Sequence, residues 1–311
     1  MDEANKSYGE IEEILDDVEQ RFKQIKKFDL LPHPPYDHHF LTYDRNFKNL
    51  VSGSTFHQRI ENEWLSLENK LPSSILVRSY EKRIDLMRAV IVGPPDTPYA
   101  HGLYFFDILF PRNYPNCPPR IHYHSYDLDL NSYLDPKGKV FLSLLEYGNS
   151  VTNWYCGVQD KWNLQKSDIL QVLTAIQTSV LSANLLNPGG GEGLRESNNL
   201  EWLKYKKALT LTCKGMLYML REPPLNLQDF VEGYFRTRAH YILLNFRKQM
   251  DGSDVMLKLF LELYRAFEQN GTYCKHHLSG VLQEAHLPEE EKTNKKGFVK
   301  NVATILNDFL S

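Results

Sequence analysis

The prolines Pro111, Pro115, Pro118 and Pro119, set directly behind the run Tyr104-Phe105-Phe106-Asp107-Ile108-Leu109-Phe110, constrain the fold of this chain more than any other feature. Aromatic and branched residues of that kind favour a pleated, half-buried strand. Each proline removes a backbone donor, fixes φ and pushes its predecessor out of the helical region. The segment reads as a strand, a rigid proline-laced loop, and then a second strand starting at Arg120-Ile121-His122-Tyr123-His124.

The flanks extend this pattern. Ile75 to Tyr80 and Leu86 to Val92 read as antiparallel strands joined by Glu81-Lys82-Arg83, with a Gly93-Pro94-Pro95-Asp96 turn leading into the strand 103–110. Before them, Phe56, Ile60, Trp64, Leu67 and Leu71 recur at helical spacing behind a Ser54 or Thr55 cap and stop at Pro72. After them, Ile169, Val172, Leu173 and Ile176 form the buried stripe of a further helix. Helical periodicity also marks Ile11 to Ile25, ending before Pro32, and the stretches 199–220, 226–250, 253–269 and 299–310, while 33–54 reads as a linker or a packed arm.

Composition narrows the function classes. A formal net charge of −3 and a pI near 6.4 provide no basic field to attract nucleic acid or anionic lipid. The four cysteines, Cys117, Cys156, Cys213 and Cys274, lack the spacing of a disulfide scaffold or a zinc ribbon, so a reducing compartment is expected. The acidic start of the chain has no secretory pattern and no apolar run nears the ~20 residues of a spanning helix; cytosol or nucleus is the expected location, with no membrane attachment. His38-His39 has no third ligand at metal spacing, and the glycine run 189–191 lacks the Lys-Ser or Lys-Thr of a phosphate loop; neither a metal nor a cofactor is expected. His122 and His124 share one strand face and read as a packed or cross-strand pair.

"GLYFFDILFPRNYPNCPPRIHYHS", followed by "GKVFLSLL", resembles the core of the ubiquitin-conjugating (UBC) family, in particular its large members such as ubiquitin-conjugating enzyme O and the plant enzymes of phosphate homeostasis. The resemblance covers roughly Phe56 to Leu220 and implies an α+β, UBC-like fold: an opening helix, a four-stranded antiparallel meander and C-terminal helices, with extra helices at both ends. Its expected organisation is an N-terminal helix and linker over 1–53, the UBC-like domain over 54–220 and a helical extension over 221–311.

The same resemblance exposes a departure. The family's thioester cysteine falls at the position of Phe141, and its oxyanion-stabilising asparagine, eight residues earlier, at Tyr133. A phenyl ring forms no thioester, so the resemblance implies a UBC fold without the standard catalytic apparatus. Three readings follow: an inactive relative that binds ubiquitin or a ubiquitin-like protein, a ubiquitin ligase or an active conjugating enzyme; a transferase with a relocated nucleophile, Cys156; or a helical adaptor on a UBC scaffold. The family's partner surfaces map to the charged face of the opening helix (Arg59, Glu63), the proline loop (Phe110, Tyr114, Pro118) and the tryptophan turn at Trp162.

Overall fold

The computed structural model of the chain describes residues 16–43, 54–145, 161–182, 195–250 and 253–278. Helix α1 (Asp17–Lys23) is capped by the Asp16 carboxylate, and strand β1 (Phe28–Leu31) follows it. Helix α2 (Thr55–Lys70) starts where the Ser54 hydroxyl accepts from the His57 amide, as the cap residue predicts. Strands β2 (Ile75–Tyr80), β3 (Leu86–Val92), β4 (Leu103–Leu109) and β5 (Arg120–Tyr123) complete a five-stranded sheet of order β1-β2-β3-β4-β5. Helix α3 (Ile169–Ala175) continues into a π-helical turn at Ile176–Val180, and α4 (Arg195–Arg221), α5 (Gln228–Gln249) and α6 (Asp254–Gln269) close the described chain. The expected helix at 299–310 lies outside the described residues.

The antiparallel meander β2 to β5 is present, with β1 added in parallel to β2 in the register Phe28↔Val77 to Leu31↔Tyr80. This corrects the reading of one helix running toward Pro32. The helix ends at Lys23, and the Val77 amide donates to the Lys27 carbonyl at 2.7 Å while Lys27 Nζ donates to the Leu71 carbonyl, so the chain after α1 is drawn along the sheet edge.

Side-chain alternation gives the sheet two covered faces. Ile75, Val77, Met87, Ala89, Ile91, Tyr104, Phe106 and Ile108 pack under α2 and α3. Leu76, Val90, Leu103 and Phe105 face the other way into one apolar core with α4, α5 and α6. Packing is therefore continuous across residues 220 and 221.

That second face carries a polar row from strand to strand: Asp29↔Arg78↔Arg88↔Asp107↔His122. Fully buried Arg88 donates to both Asp107 carboxylate oxygens at 2.7 and 3.0 Å, to Asp37 Oδ1 at 2.9 Å and to the Leu225 carbonyl at 3.1 Å. Asp107 also accepts from His124 Nε2 and the His39 amide, both at 2.8 Å. Beyond the row, Tyr80, Leu86 and Leu109 pack against Phe40 and Leu41, so the part of the 33–54 segment described is a packed arm.

Buried His38 donates from Nε2 to the Met87 carbonyl and accepts at Nδ1 from the Phe40 amide, the pattern of a neutral ring. Burial lowers its pKa from 6.5 to about 4 despite the nearby Asp107 carboxylate. Half-buried His122, stacked on His39 at 3.4 Å, is also lowered to about 4, by burial and by the His39 and His124 rings. Above pH 6.5 both rings are neutral in the folded and the unfolded chain. As pH falls from 6.5 toward 4 the unfolded chain takes up protons that the folded chain refuses, so stability drops across that window. The His38 displacement corresponds to ~3 kcal/mol, and half-exposed His122 adds less. Urea midpoints measured from about pH 7.5 to about pH 4.5 are expected to fall steadily; a level profile would refute the neutral burial of His38.

Candidate functional site

Glu63 organises the end of the molecule where α2, the proline loop and α3 meet. Its Oε1 accepts from Tyr114 Oη at 2.5 Å and pairs with Arg59 at 2.7 Å, and its Oε2 accepts from the Ile169 amide at 3.1 Å. Burial raises its pKa, although these three donors oppose the shift. Arg59 also donates to the Ser167 carbonyl and lies over the Tyr114 ring. The Tyr114 ring packs on Phe110 and Trp162, and Trp162 Nε1 donates to the Pro115 carbonyl at 2.7 Å. The Tyr114-Pro115 bond is cis.

This geometry corrects most of the partner surface expected from sequence. Glu63 (2% exposed), Phe110 (0%) and Tyr114 (4%) are interior, and Pro118 is buried with them. They hold the loop in place and present little to a partner. Arg59 and Trp162 keep partial exposure, but each is tied to backbone. The sequence contained the signal for Glu63: it lies three residues after Ile60 and four before Leu67, on the buried stripe of α2.

The second part of the site is the turn that carries Tyr133 and Phe141. The Phe141 amide donates to the Tyr133 carbonyl at 2.9 Å, and Leu134 pairs with Val140, so positions 133 and 141 face each other across a closed turn. Gly138 at φ +87° lets the turn approach β5, where an added Cβ would lie 2.1 Å from the His122 ring. The Phe141 ring is half-buried, with Lys139 Nζ 4.7 Å from its centroid.

Asn131 is the asparagine nearest in sequence to the expected oxyanion donor, and its amide is structural. Nδ2 donates to Tyr99 Oη and to the Val180 carbonyl, each at 3.1 Å, while Oδ1 accepts from the Tyr133 and Leu134 amides. Both of its N–H groups therefore have protein acceptors.

Among the described residues, three thiols remain. Cys213 and Cys274 are buried, and burial raises both pKa values, that of Cys274 to about 11. Half-buried Cys117 on the proline loop accepts from Asn113 Nδ2 at 2.8 Å. Cys156, the alternative nucleophile, lies outside the described residues. No described helix is long and apolar enough to cross a membrane.

An opening helix, a sheet meander, a proline loop under a tryptophan turn and a closed turn before α3 define a conjugating-enzyme fold. Residues 59–209 match the family described as ubiquitin-conjugating enzyme, and the chain belongs to that family. It is 35% identical to the Arabidopsis thaliana Putative ubiquitin-conjugating enzyme E2 38, over 72% of this chain and 68% of that protein. It is also 35% identical to the Arabidopsis Probable ubiquitin-conjugating enzyme E2 24, over 81% of this chain and 30% of that protein. With the human Dual E2 ubiquitin-conjugating enzyme/E3 ubiquitin-protein ligase BIRC6 it shares 36% identity over 82% of this chain and 5% of that protein. The chain thus spans less than a third of the length of these last two relatives. It is a ubiquitin-conjugating-enzyme-like protein.

Proposed function

We propose that this chain acts by binding and carries out no thioester transfer at the standard site. The observation that carries this reading is Phe141: a half-buried phenyl ring under the Lys139 ammonium occupies the position that the family resemblance assigns to the thioester cysteine. Tyr133 stands at the expected oxyanion position, and the Asn131 amide is committed to Tyr99 and Val180. Covalent carriage needs a thiolate and aminolysis needs a donor aimed at the developing oxyanion; at the two standard positions this chain has a phenyl ring in place of the thiol and a phenol in place of the amide. The fold is then a recognition module of the cytosol or nucleus that engages ubiquitin or a ubiquitin-like protein, a ligase or an active conjugating enzyme.

The experiment is a thioester assay on the full chain with activating enzyme, ATP and ubiquitin, resolved with and without reductant. No reductant-sensitive adduct is expected. An adduct that disappears in Cys156→Ser would overturn the binding reading and make the chain a transferase with a relocated nucleophile.

A further inference from the structure

Helix α5 carries His240 on the side turned toward the segment that follows α6. That segment is held tightly. Arg236, one helical turn before His240, donates from Nε to the Asn270 carbonyl at 2.8 Å, and Thr272 Oγ1 donates to the Arg236 carbonyl at 3.2 Å. Asn270 Nδ2 donates to the Glu232 carbonyl at 2.9 Å, and Gly271 at φ +89° turns the chain where a Cβ would strike the Arg236 guanidinium. The Cys274 amide is bound by Glu268, and the His277 amide donates to the Cys274 carbonyl at 2.9 Å. These bonds place the single helical turn 275–278 against α5 whatever its histidines do.

The result is a convergence of imidazoles from two elements far apart in sequence. His240 Nδ1 and His277 Nε2 are 2.9 Å apart, and the His276 ring lies 5.1 Å from His240 and 4.1 Å from His277, centroid to centroid. One ligand nitrogen from each ring falls within 4.8 Å of the other two. A hydrogen bond between His240 and His277 explains that pair alone. His276, which is exposed, brings its ring to the same point.

We propose that His240, His276 and His277 form a three-imidazole site for a divalent first-row transition metal, with Zn2+ as the ion bound. Zn–N bonds of about 2.0–2.1 Å place two ligand nitrogens about 3.4 Å apart in a tetrahedron, so ring shifts of about 1 Å complete the set. Imidazole nitrogens suit Zn2+, Cu2+ and Ni2+ and exclude the oxygen-seeking Ca2+ and Mg2+. Burial, the two neighbouring rings and the Arg247 guanidinium hold His277 down to about 4, and burial and His276 lower His240, which favours the neutral form a metal needs at these two ligands. The fixed turn 270–274 orients the ligands as an outer shell does, and exposed His276 leaves an entry path and a fourth position for water. The bound ion fastens α5 to the end of α6, a role independent of the Phe141 turn.

The test uses the full chain, stripped with chelator and titrated calorimetrically with Zn2+ at neutral pH, with thermal denaturation alongside. One Zn2+ per chain is expected to bind this site and to raise the melting temperature. His276→Ala removes an exposed ring and is expected to weaken binding at least about tenfold, a loss no smaller than that caused by disturbing a ligand's supporting shell. His276→Ala/His277→Ala should abolish both the binding and the thermal shift, while His33→Ala, exposed and elsewhere on the chain, should change neither. Co2+ gives a second readout: its visible d–d absorption should appear with the wild type and vanish with His276→Ala. Zn2+ affinity that is absent in the wild type, or unchanged in His276→Ala, overturns the assignment.

Discussion

Asp107→Ala is expected to cost about 3–5 kcal/mol, a large share of the ~5–15 kcal/mol that holds a typical domain folded. Asp107 and Arg88 are both fully buried, and burial alone would raise the Asp107 carboxyl. Hydrogen bonds from His124 and Arg88 instead hold it far below the usual carboxylate range. Without Asp107 the Arg88 guanidinium keeps, among the described residues, its bonds to Asp37, which is partly exposed, and to the Leu225 carbonyl. The damage should spread beyond the sheet, because Arg88 also anchors the 36–43 arm through Asp37 and the link between α4 and α5 through Leu225.

The double variant Arg88→Met/Asp107→Leu separates charge from shape. It removes both ions, so its loss should be clearly smaller than the summed losses of Arg88→Met and Asp107→Leu made singly. Urea denaturation of the three variants measures this; equal and additive losses would mean that the pair contributes no coupling.

Why Arg88 and Asp107 escaped the sequence reading is instructive. Each is a lone charge in an apolar strand, and only the register Arg88↔Asp107↔His122 shows that they meet. The local patterns were legible: strand, proline loop and strand at 103–123, the Ser54-capped helix, and the helices expected at 199–220, 226–250 and 253–269, within a few residues of their ends. Non-local pairings were not. Strand β1 is four residues long, and its parallel partner begins about fifty residues later, so no alternation in Phe28–Leu31 announces it. His240 and His277 are separated by 37 positions and meet only because the turn at Gly271 folds back on α5.

The site was legible in a different way. Phe141 and Tyr133 were identified by resemblance, and the structure adds that their backbones are bonded across one turn. Four of the expected contact residues, Glu63, Phe110, Tyr114 and Pro118, are interior for a physical reason: an aromatic on a loop or a paired carboxylate on a helix gains by filling the interior, as Tyr114 and Glu63 do.

If the chain acts by binding, as proposed, Phe141→Cys is expected to give it a thioester activity that the wild type lacks. The backbone at 141 is fixed by the Tyr133 carbonyl and by the Leu134 and Val140 pairing, so a smaller side chain leaves the turn in place. The Lys139 ammonium that now lies over the Phe141 ring would then stand beside a thiol and favour its thiolate. In the assay with activating enzyme, ATP and ubiquitin, this variant should form a reductant-sensitive adduct that the wild type does not. Its discharge onto a free amine should be slow, because Tyr133 provides no amide donor and the Asn131 amide is engaged with Tyr99 and Val180. Adding Tyr133→Asn should accelerate discharge by roughly 10²-fold, the effect of one oxyanion donor, since the Asn131 carbonyl oxygen still holds the backbone at 133. A folded Phe141→Cys variant that takes no ubiquitin would show that more than the nucleophile separates this chain from a working enzyme. An adduct whose discharge is unchanged by Tyr133→Asn would remove position 133 from the chemistry and leave Phe141 as the one replacement that matters.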